Sequence, residues 1–424
     1  MQPEKLKIAI VGLGYVGLPL ALEFGRKYQT IGFDINHHRI EDLKNGNDYT
    51  NEAKSEDLVN IENLTFTANI DEITTCNIYI ITVPTPINES NEPELSALEN
   101  STKSIGSILK RGDVVIYEST VYPGLTEEVC IPILEKESNL KSNQDFFYGY
   151  SPERINPGDH NHRLTDIVKI TSGSDKKTTD KIDQLYSSII DAGTYKVSSV
   201  KVAEAAKVIE NIQRDVNIAL INELAMIFKK LDINTEEVLN AAATKWNFHE
   251  YKPGLVGGHC IGVDPHYLTY KARQIGVKPE MINAGRNINE NMSSFVVQQT
   301  LQLMKSKDIT IGHSKILILG FSFKPNCPDP RNTKVADLYK KLSDKGAIVD
   351  IYDPWNNKDQ VEREYSIRLI ESPKNNYYDS IILAVGHDEF ASMGREKILS
   401  LAKSKNVLYD LTYVLQDHEV DGRL

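Results

Sequence analysis

One cysteine stands out by its surroundings. A core cysteine usually sits in an apolar run, but Cys260 follows His259 in a glycine-rich loop, PGLVGGHCIGVDP (253–265), where the backbone can be held close to a ligand. A thiol placed there serves as a nucleophile when nearby positive charge favours the thiolate; a buried, inert thiol is the competing reading. Lys207 and Asn211 are four apart in a helical stretch and share a face, either as catalytic donors or as an ordinary solvated stripe. Asp264 before Pro265 is either an acid–base group or a helix N-cap. Thr120 in YESTVYPG and Glu153 in SPERINPG each follow a strand-like run. They lie beyond the carboxyl ends of candidate sheet strands, where open α/β folds bind ligands. Lys324 and Arg331, in GFSFKPNCPDPRNT, are either a local source of positive charge or part of a solvated loop.

A second constellation opens the chain. Gly12-Leu13-Gly14-Tyr15-Val16-Gly17 fits G-x-G-x-x-G between an apolar strand and a helix over Leu18–Phe24. The first glycine permits a tight turn, the second lets the backbone approach a pyrophosphate, and the third lets helix and strand pack closely. The helix N-terminus then offers N–H groups and a positive dipole end to the phosphates. Asp34 ends the next strand, 22 residues after Gly12. An acid there accepts hydrogen bonds from a ribose 2′-hydroxyl and repels a 2′-phosphate, which favours NAD over NADP. Arg39 is a candidate for the adenosine end, with a surface arginine as the alternative.

These residues need a scaffold, and the hydrophobic pattern supplies one. Strand-like runs at Lys7–Val11, Thr30–Asp34, Ile78–Val83, Asp113–Glu118, Phe146–Tyr150 and Ile167–Thr171 alternate with amphipathic stretches, the signature of a mostly parallel sheet with helices on both faces. From Val200 to about Leu231 the chain has neither Pro nor Gly and keeps a helical period, enough for a helix of roughly 45 Å. Thr235 reads as the N-cap of the next helix, with Glu236 and Glu237 in its first turn. A second alternating unit follows, with strands in 315–323, 347–354, 379–385 and 407–411 and a helix near Val335–Lys345. The expected architecture is α/β: two Rossmann-like domains, 1–199 and 306–424, joined by a helical middle domain, 200–305, with a long central helix.

Composition limits the partners. Among 424 residues, 59 acids against 48 bases give a net charge of −11, the reverse of the basic excess of a general nucleic-acid binder. The 40% hydrophobic and 25% charged content is that of a globular chain. No apolar run approaches the ~18 residues of a membrane span, so no membrane insertion is expected. The start, MQPEKLKIAIVG, enters a strand without a secretory signal. The four cysteines lack the paired spacing of a zinc site or disulfide framework. A cytoplasmic protein with free thiols and no metal is the expectation.

Taken together, GLGYVGLPLA, the VPTP at 83–86, ESTVYPG, SPERINPG, the Lys207/Asn211 pair, GLVGGHCIGVDP and GFSFKPNCPDPRNT resemble the UDP-sugar and GDP-sugar 6-dehydrogenase family over essentially the whole chain. The likeness is nearest to its UDP-N-acetylglucosamine and UDP-N-acetylgalactosamine branch. It implies a four-electron, NAD-dependent oxidation of a sugar carbon-6 alcohol to the uronate, with Cys260 carrying a thiohemiacetal and then a thioester. Lys207 and Asn211 match oxyanion-stabilising residues, Asp264 and Thr120 a proton-handling pair with an ordered water, and Glu153 a residue of thioester hydrolysis. Gly12, Gly14, Tyr15, Val16, Gly17, Asp34, Arg39, Thr85, Thr120 and Arg331 are the implied cofactor set. The implied sugar-nucleotide set is Arg154, Lys207, Asn211, the loop Tyr251–Gly257, Phe323 and Lys324. The family further implies a homodimer built on the long helix and a place in surface polysaccharide synthesis.

The pattern departs from glucose-type members at His259 and Val263, where those have serine and lysine, and at Arg154, where they have an aromatic residue. These departures favour an N-acetylhexosamine over UDP-glucose. The alternatives are a UDP-glucose 6-dehydrogenase, a two-electron hydroxyacid dehydrogenase that needs no cysteine, and a non-catalytic NAD-binding assembly protein.

Overall fold

The β-branched runs separated by glycine turns become two sheets in the computed structural model, which describes residues 6–50, 52–155, 163–258 and 261–424. The chain start, the Asn156–Gly158 end of the SPERINPG motif, His259 and Cys260 lie outside the described residues. The chain divides into two compact units, Met1–Glu210 with His266–Val277, and Asn211–Pro265 with Lys278–Leu424.

The first unit holds an eight-stranded sheet. Its strands are β1 (Lys7–Val11), β2 (Gln29–Phe33), β3 (Leu64–Thr67), β4 (Ile78–Ile81), β5 (Val114–Tyr117), β6 (Phe147–Tyr150), β7 (Lys169–Gly173) and β8 (Thr194–Lys196). They run in the order β3-β2-β1-β4-β5-β6-β7-β8. The first six give the dinucleotide-fold order, all parallel. The strand order reverses between β1 and β4, which opens a crevice beyond their carboxyl ends. β7 is antiparallel to β6, with Gly149 opposite Gly173 and Tyr150 opposite Ser172. Ile8, Ala9 and Ile10 of β1 are fully buried, and the helix Gly17–Gly25 covers the sheet with Leu18, Leu20, Ala21 and Phe24.

The second unit has a five-stranded parallel sheet: β9 (Lys315–Leu319), β10 (Ile348–Tyr352), β11 (Tyr378–Leu383), β12 (Ala402–Asp410) and β13 (Gly422–Arg423), ordered β10-β9-β11-β12-β13. This is the other common doubly wound order. Along β9, Ile316 and Ile318 join the core formed with Met292, Val296 and Met304 of the helix Glu280–Ser306, while Leu317 and Leu319 face the opposite core with Phe390 and Ile398. A strand buried on both faces carries no polar alternation, so its pattern is a continuous apolar run.

The expected long helix spans Val200–Lys230. Three strands escaped the sequence reading: β3, β8 and β13, which are four, three and two residues long and, unlike the four-residue β4 and β5, are not continuous apolar runs. The cap of the helix Thr235–Ala243 is Asn234, whose side chain accepts from Glu237 N at 3.0 Å; Thr235 is the first helical residue. Both types cap well, and the sequence offered them side by side.

Candidate functional site

In the first unit each glycine of the turn meets a different constraint. Gly12 sits at φ +94°, in the left-handed region that a side chain strains. A Cβ on Gly17 would lie 1.8 Å from Gly12 O and 2.4 Å from Thr82 Oγ1, so helix and turn touch through backbone there. Gly14 has nothing within 4 Å of where its Cβ would stand; it leaves open space that a phosphate group can enter. Thr82 closes the turn by donating to Gly12 O at 2.7 Å. Asp34 Oδ2 accepts from Leu13 N and Oδ1 from Asn36 N, each at 2.9 Å. Its carboxylate is thus tied to the glycine turn through Oδ2 and to Asn36 through Oδ1, one lone pair on each oxygen, and the remaining lone pairs are available to ribose hydroxyls. The open cradle at Gly14 and the anchored acid fit an NAD molecule.

Arg39 is not a surface arginine. It is 2% exposed, with Nε donating to Leu13 O at 2.9 Å, the guanidinium ion-paired to Asp48 at 2.8 Å and lying over the Tyr49 ring. It braces the turn from behind.

Beyond β4 and β5, Thr85 Oγ1 donates to Thr120 O at 2.7 Å, and Tyr267 OH donates to Thr85 O at 2.8 Å. The two threonines of the implied cofactor set are therefore one bonded group. Beyond β6, Glu153 Oε1 accepts from the N–H groups of Arg154 and Ile155, both at 2.5 Å, and Oε2 accepts from Lys169 Nζ at 3.2 Å. Lys169 also donates to Glu118 Oε2 at 2.6 Å, and Tyr186 OH donates to Glu118 Oε1. Burial pushes the Glu118 carboxyl up against the pull of Lys169 and pushes the Tyr186 phenol far up. Arg154 reaches Val168 O and Glu210, both at 2.8 Å.

Glu118, Lys169 and Tyr186 were missed in the sequence. Glu118 ends the expected strand Asp113–Glu118 and Lys169 falls within Ile167–Thr171, and neither stretch shows a partner for its charge. A buried lysine needs a buried counter-charge, and that partner is 51 residues away.

Lys207 is 7% exposed and Asn211 8%, so neither belongs to a solvated stripe. In the second unit Asn211 Nδ2 donates to Asp264 Oδ2 at 2.5 Å, and Asp264 is itself buried. Asp264 opens the helix Asp264–Gln274, so its place at a helix start and its contact with Asn211 coexist. The loop Tyr251–Gly258 docks on the 321–334 loop. A Cβ on Gly257 would meet Asn332 O at 2.6 Å, and one on Gly258 would meet the Phe323 ring at 2.7 Å. Asn222 grips Gly254 twice, accepting its N–H at 2.9 Å and donating to its carbonyl at 3.1 Å. Two of the segments expected to hold a sugar nucleotide, the 251–257 loop and the one with Phe323, thus meet within this unit, with Tyr251 half-buried. Lys324 Nζ lies 5.6 Å from the centre of the Phe323 ring. Arg331 forks onto Asp329, with Nε and Nη2 at 2.9 and 2.6 Å from its two oxygens, so much of its charge is balanced within its own loop.

Among the described residues, Cys76, Cys130 and Cys327 are buried free thiols. Burial pushes Cys76 and Cys130 up to about 12, which keeps them protonated and inert. No described helix is long and apolar enough to cross a membrane.

Comparison with known proteins matches this arrangement. Three domain models of one family, UDP-glucose/GDP-mannose dehydrogenase, cover the chain: the NAD binding domain over residues 6–190, the central domain over 201–291 and the UDP binding domain over 317–417. The chain is 56% identical to UDP-N-acetyl-D-glucosamine 6-dehydrogenase of Salmonella typhi, over 99% of both chains. It is 55% identical to the enzyme of that name from Pseudomonas aeruginosa, over 99% of this chain and 100% of the other. Among solved structures, the UDP-D-ManNAc dehydrogenase of Pyrococcus horikoshii superposes with a TM-score of 0.89 at 28% identity, over 99% of this chain and 98% of that one. With two doubly wound sheets, a glycine turn with its anchored acid, and all three domain models in order, the chain belongs to the UDP-glucose/GDP-mannose dehydrogenase family and uses NAD.

Proposed function

We propose that the protein oxidises the carbon-6 alcohol of a UDP-N-acetylhexosamine, UDP-N-acetylglucosamine or its galacto epimer, to the uronate. The observation that carries this reading is the full-length identity of 56% to an enzyme named for that substrate. His259, Val263 and Arg154 stand where glucose-type members carry other residues.

Bound NAD supplies the hydride acceptor for two successive oxidations. Gly12, Gly14, Gly17 and Asp34 hold its pyrophosphate and ribose, Arg39 braces that turn from behind, and Tyr15, Val16, Thr85, Thr120 and Arg331 complete the cofactor set. The Cys260 sulfur adds to the aldehyde carbon left by the first oxidation, and its proton passes to the oxygen, giving a thiohemiacetal. The second oxidation leaves a thioester. Water oxygen then bonds to the acyl carbon, the C–S bond breaks, and Cys260 leaves as the thiolate while Glu153 takes the proton of the water. Lys207 and Asn211 stabilise the oxyanions, and Asp264 with Thr120 handles the proton of the alcohol. Arg154, Tyr251, Gly257, Phe323 and Lys324 hold the sugar nucleotide. In this division of labour 1–199 binds the cofactor, 200–305 carries the catalytic lysine and cysteine, and 306–424 binds UDP.

The working form we infer is a homodimer: Val202, Ile209, Leu220 and Ile227 make an exposed apolar stripe along the long helix at spacings of seven and eleven. The cytoplasm, where free thiols stay reduced, is the compartment, and surface polysaccharide synthesis is the use of the uronate.

The test is an NADH assay with UDP-N-acetylglucosamine, UDP-N-acetylgalactosamine, UDP-glucose and GDP-mannose. The expected outcome is two NADH per uronate and a kcat/KM for an N-acetylhexosamine at least about tenfold above UDP-glucose. Preference for UDP-glucose overturns the substrate, and one NADH per sugar overturns the thioester route.

A further inference from the structure

Lys169 has no assigned role in the reaction, yet its placement is costly. A buried ammonium must be offset by well-placed counter-charges, and apolar residues of similar size would fill the same space more cheaply. The sheet topology explains how it gets there. The parallel strands β5 and β6 bring their carboxyl ends together, with Glu118 and Glu153 beyond them. Antiparallel β7 begins where β6 ends. The pairing ends at Tyr150–Ser172, and Lys169 lies three residues before Ser172 as Glu153 lies three after Tyr150.

The ammonium then spans two carboxylates, at 2.6 Å from Glu118 and 3.2 Å from Glu153. The Glu118 side chain is wholly buried, and Tyr186 fixes its other oxygen. Glu153 is the outer member: two backbone N–H groups hold one oxygen and Lys169 the other, which defines the plane of the carboxylate. On the reading that Glu153 assists thioester hydrolysis, we propose that Lys169 is its positioning residue, with Glu118 and Tyr186 setting the ammonium.

The experiment is a rapid-mixing assay on the full chain with UDP-N-acetylglucosamine and NAD. Lys169→Met is expected to keep the rapid burst of NADH while its steady-state kcat falls by about a hundredfold. KM stays within about twofold, and the acyl adduct on Cys260 accumulates in intact-mass spectra. Glu118→Gln, which keeps the ammonium beside Glu153, falls less than about tenfold, and Lys169→Arg recovers part of the loss. If Lys169→Met does not fold, Glu118→Leu/Lys169→Met removes the buried charges together and is expected to show the same burst with slow turnover. Turnover at the wild-type rate in either lysine variant overturns the proposal. So does loss of burst and steady state alike, or a Glu118→Gln defect equal to that of Lys169→Met. Glu153→Gln separates the two levels. If it alone blocks turnover, the role of Glu153 stands and that of Lys169 fails; if it leaves turnover unchanged, the reading of Glu153 fails first.

Discussion

The molecule builds the same turn twice and uses it differently. Gly12 after β1 and Gly320 after β9 sit at φ +94° and +95°, and each donates its N–H to the last residue of the neighbouring strand, Phe33 O at 2.8 Å and Tyr352 O at 2.9 Å. In both units an aspartate follows that strand and reaches back to the turn, Asp34 to Leu13 N and Asp353 to Phe321 N and Ser322 N. The difference lies in what remains on the carboxylate. Asp34 is half-buried and makes two backbone bonds. Asp353 is 2% exposed and also accepts from Trp355 N, Asn356 N and His387. Asn326 N donates to His387 Nδ1, so Nε2 carries the proton that goes to Asp353. The first acid keeps lone pairs for a ligand; the second has spent them on its own loops. A shared backbone solution therefore does not imply a shared binding role.

The largest expected effect breaks the second turn. Asp353→Ala strands four backbone donors and His387, and should cost about 3–5 kcal/mol of stability, the range for removing one partner of a buried pair. Asp34→Ala should cost under about 1 kcal/mol, because water replaces its bonds, while raising KM for NAD about tenfold. Urea unfolding followed by the fluorescence of Trp355, stacked on His387, measures the first value, and initial rates measure the second. Equal stability losses would erase the distinction.

The glycines sharpen the ligand side. Gly17→Ala forces a methyl into Gly12 O and should cost about 1–3 kcal/mol through overpacking. Gly14→Ala meets open space and should leave Tm within about 1 °C while weakening NAD binding about tenfold. Paired thermal melts and NAD titrations check this. A Gly14→Ala variant that binds NAD normally would refute the cradle.

The smallest effect is a pH dependence. Burial pushes the Asp353 carboxyl up, but the bond from His387 and the N–H groups of Phe321 and Asn356 outweigh it and hold the group well below the usual carboxylate range. The unfolded chain therefore takes up the proton first. The stabilisation is complete above about pH 5 and drains as the pH falls through the unfolded value near 4. The stability gap between wild type and Asp353→Ala should narrow between pH 5 and pH 3, and a constant gap would contradict the assignment.

How much of this was legible beforehand depends on the range of the interactions. The glycine turn, Asp34, the long helix and both alternating units were readable, because each is fixed by residues within a few turns of chain. Local pattern also showed Lys207, Asn211, Asp264, Thr120 and Glu153 as candidates, but it could not decide between a solvated stripe and a buried group. Arg39 was ambiguous for the same reason: its partners are Leu13 and Asp48 on other segments.

The sequence by itself determined the two doubly wound patterns, the dinucleotide fingerprint and the family, since these are written in periodicity and fixed spacing. Tertiary structure alone decided that Asn211 meets Asp264, that Lys169 lies between Glu118 and Glu153, and that His387 fills Asp353 while Asp34 stays open. Those outcomes depend on strand order and register, which bring together residues separated by 16 to 53 positions. A charge so placed is stable only where its partner arrives from elsewhere in the fold.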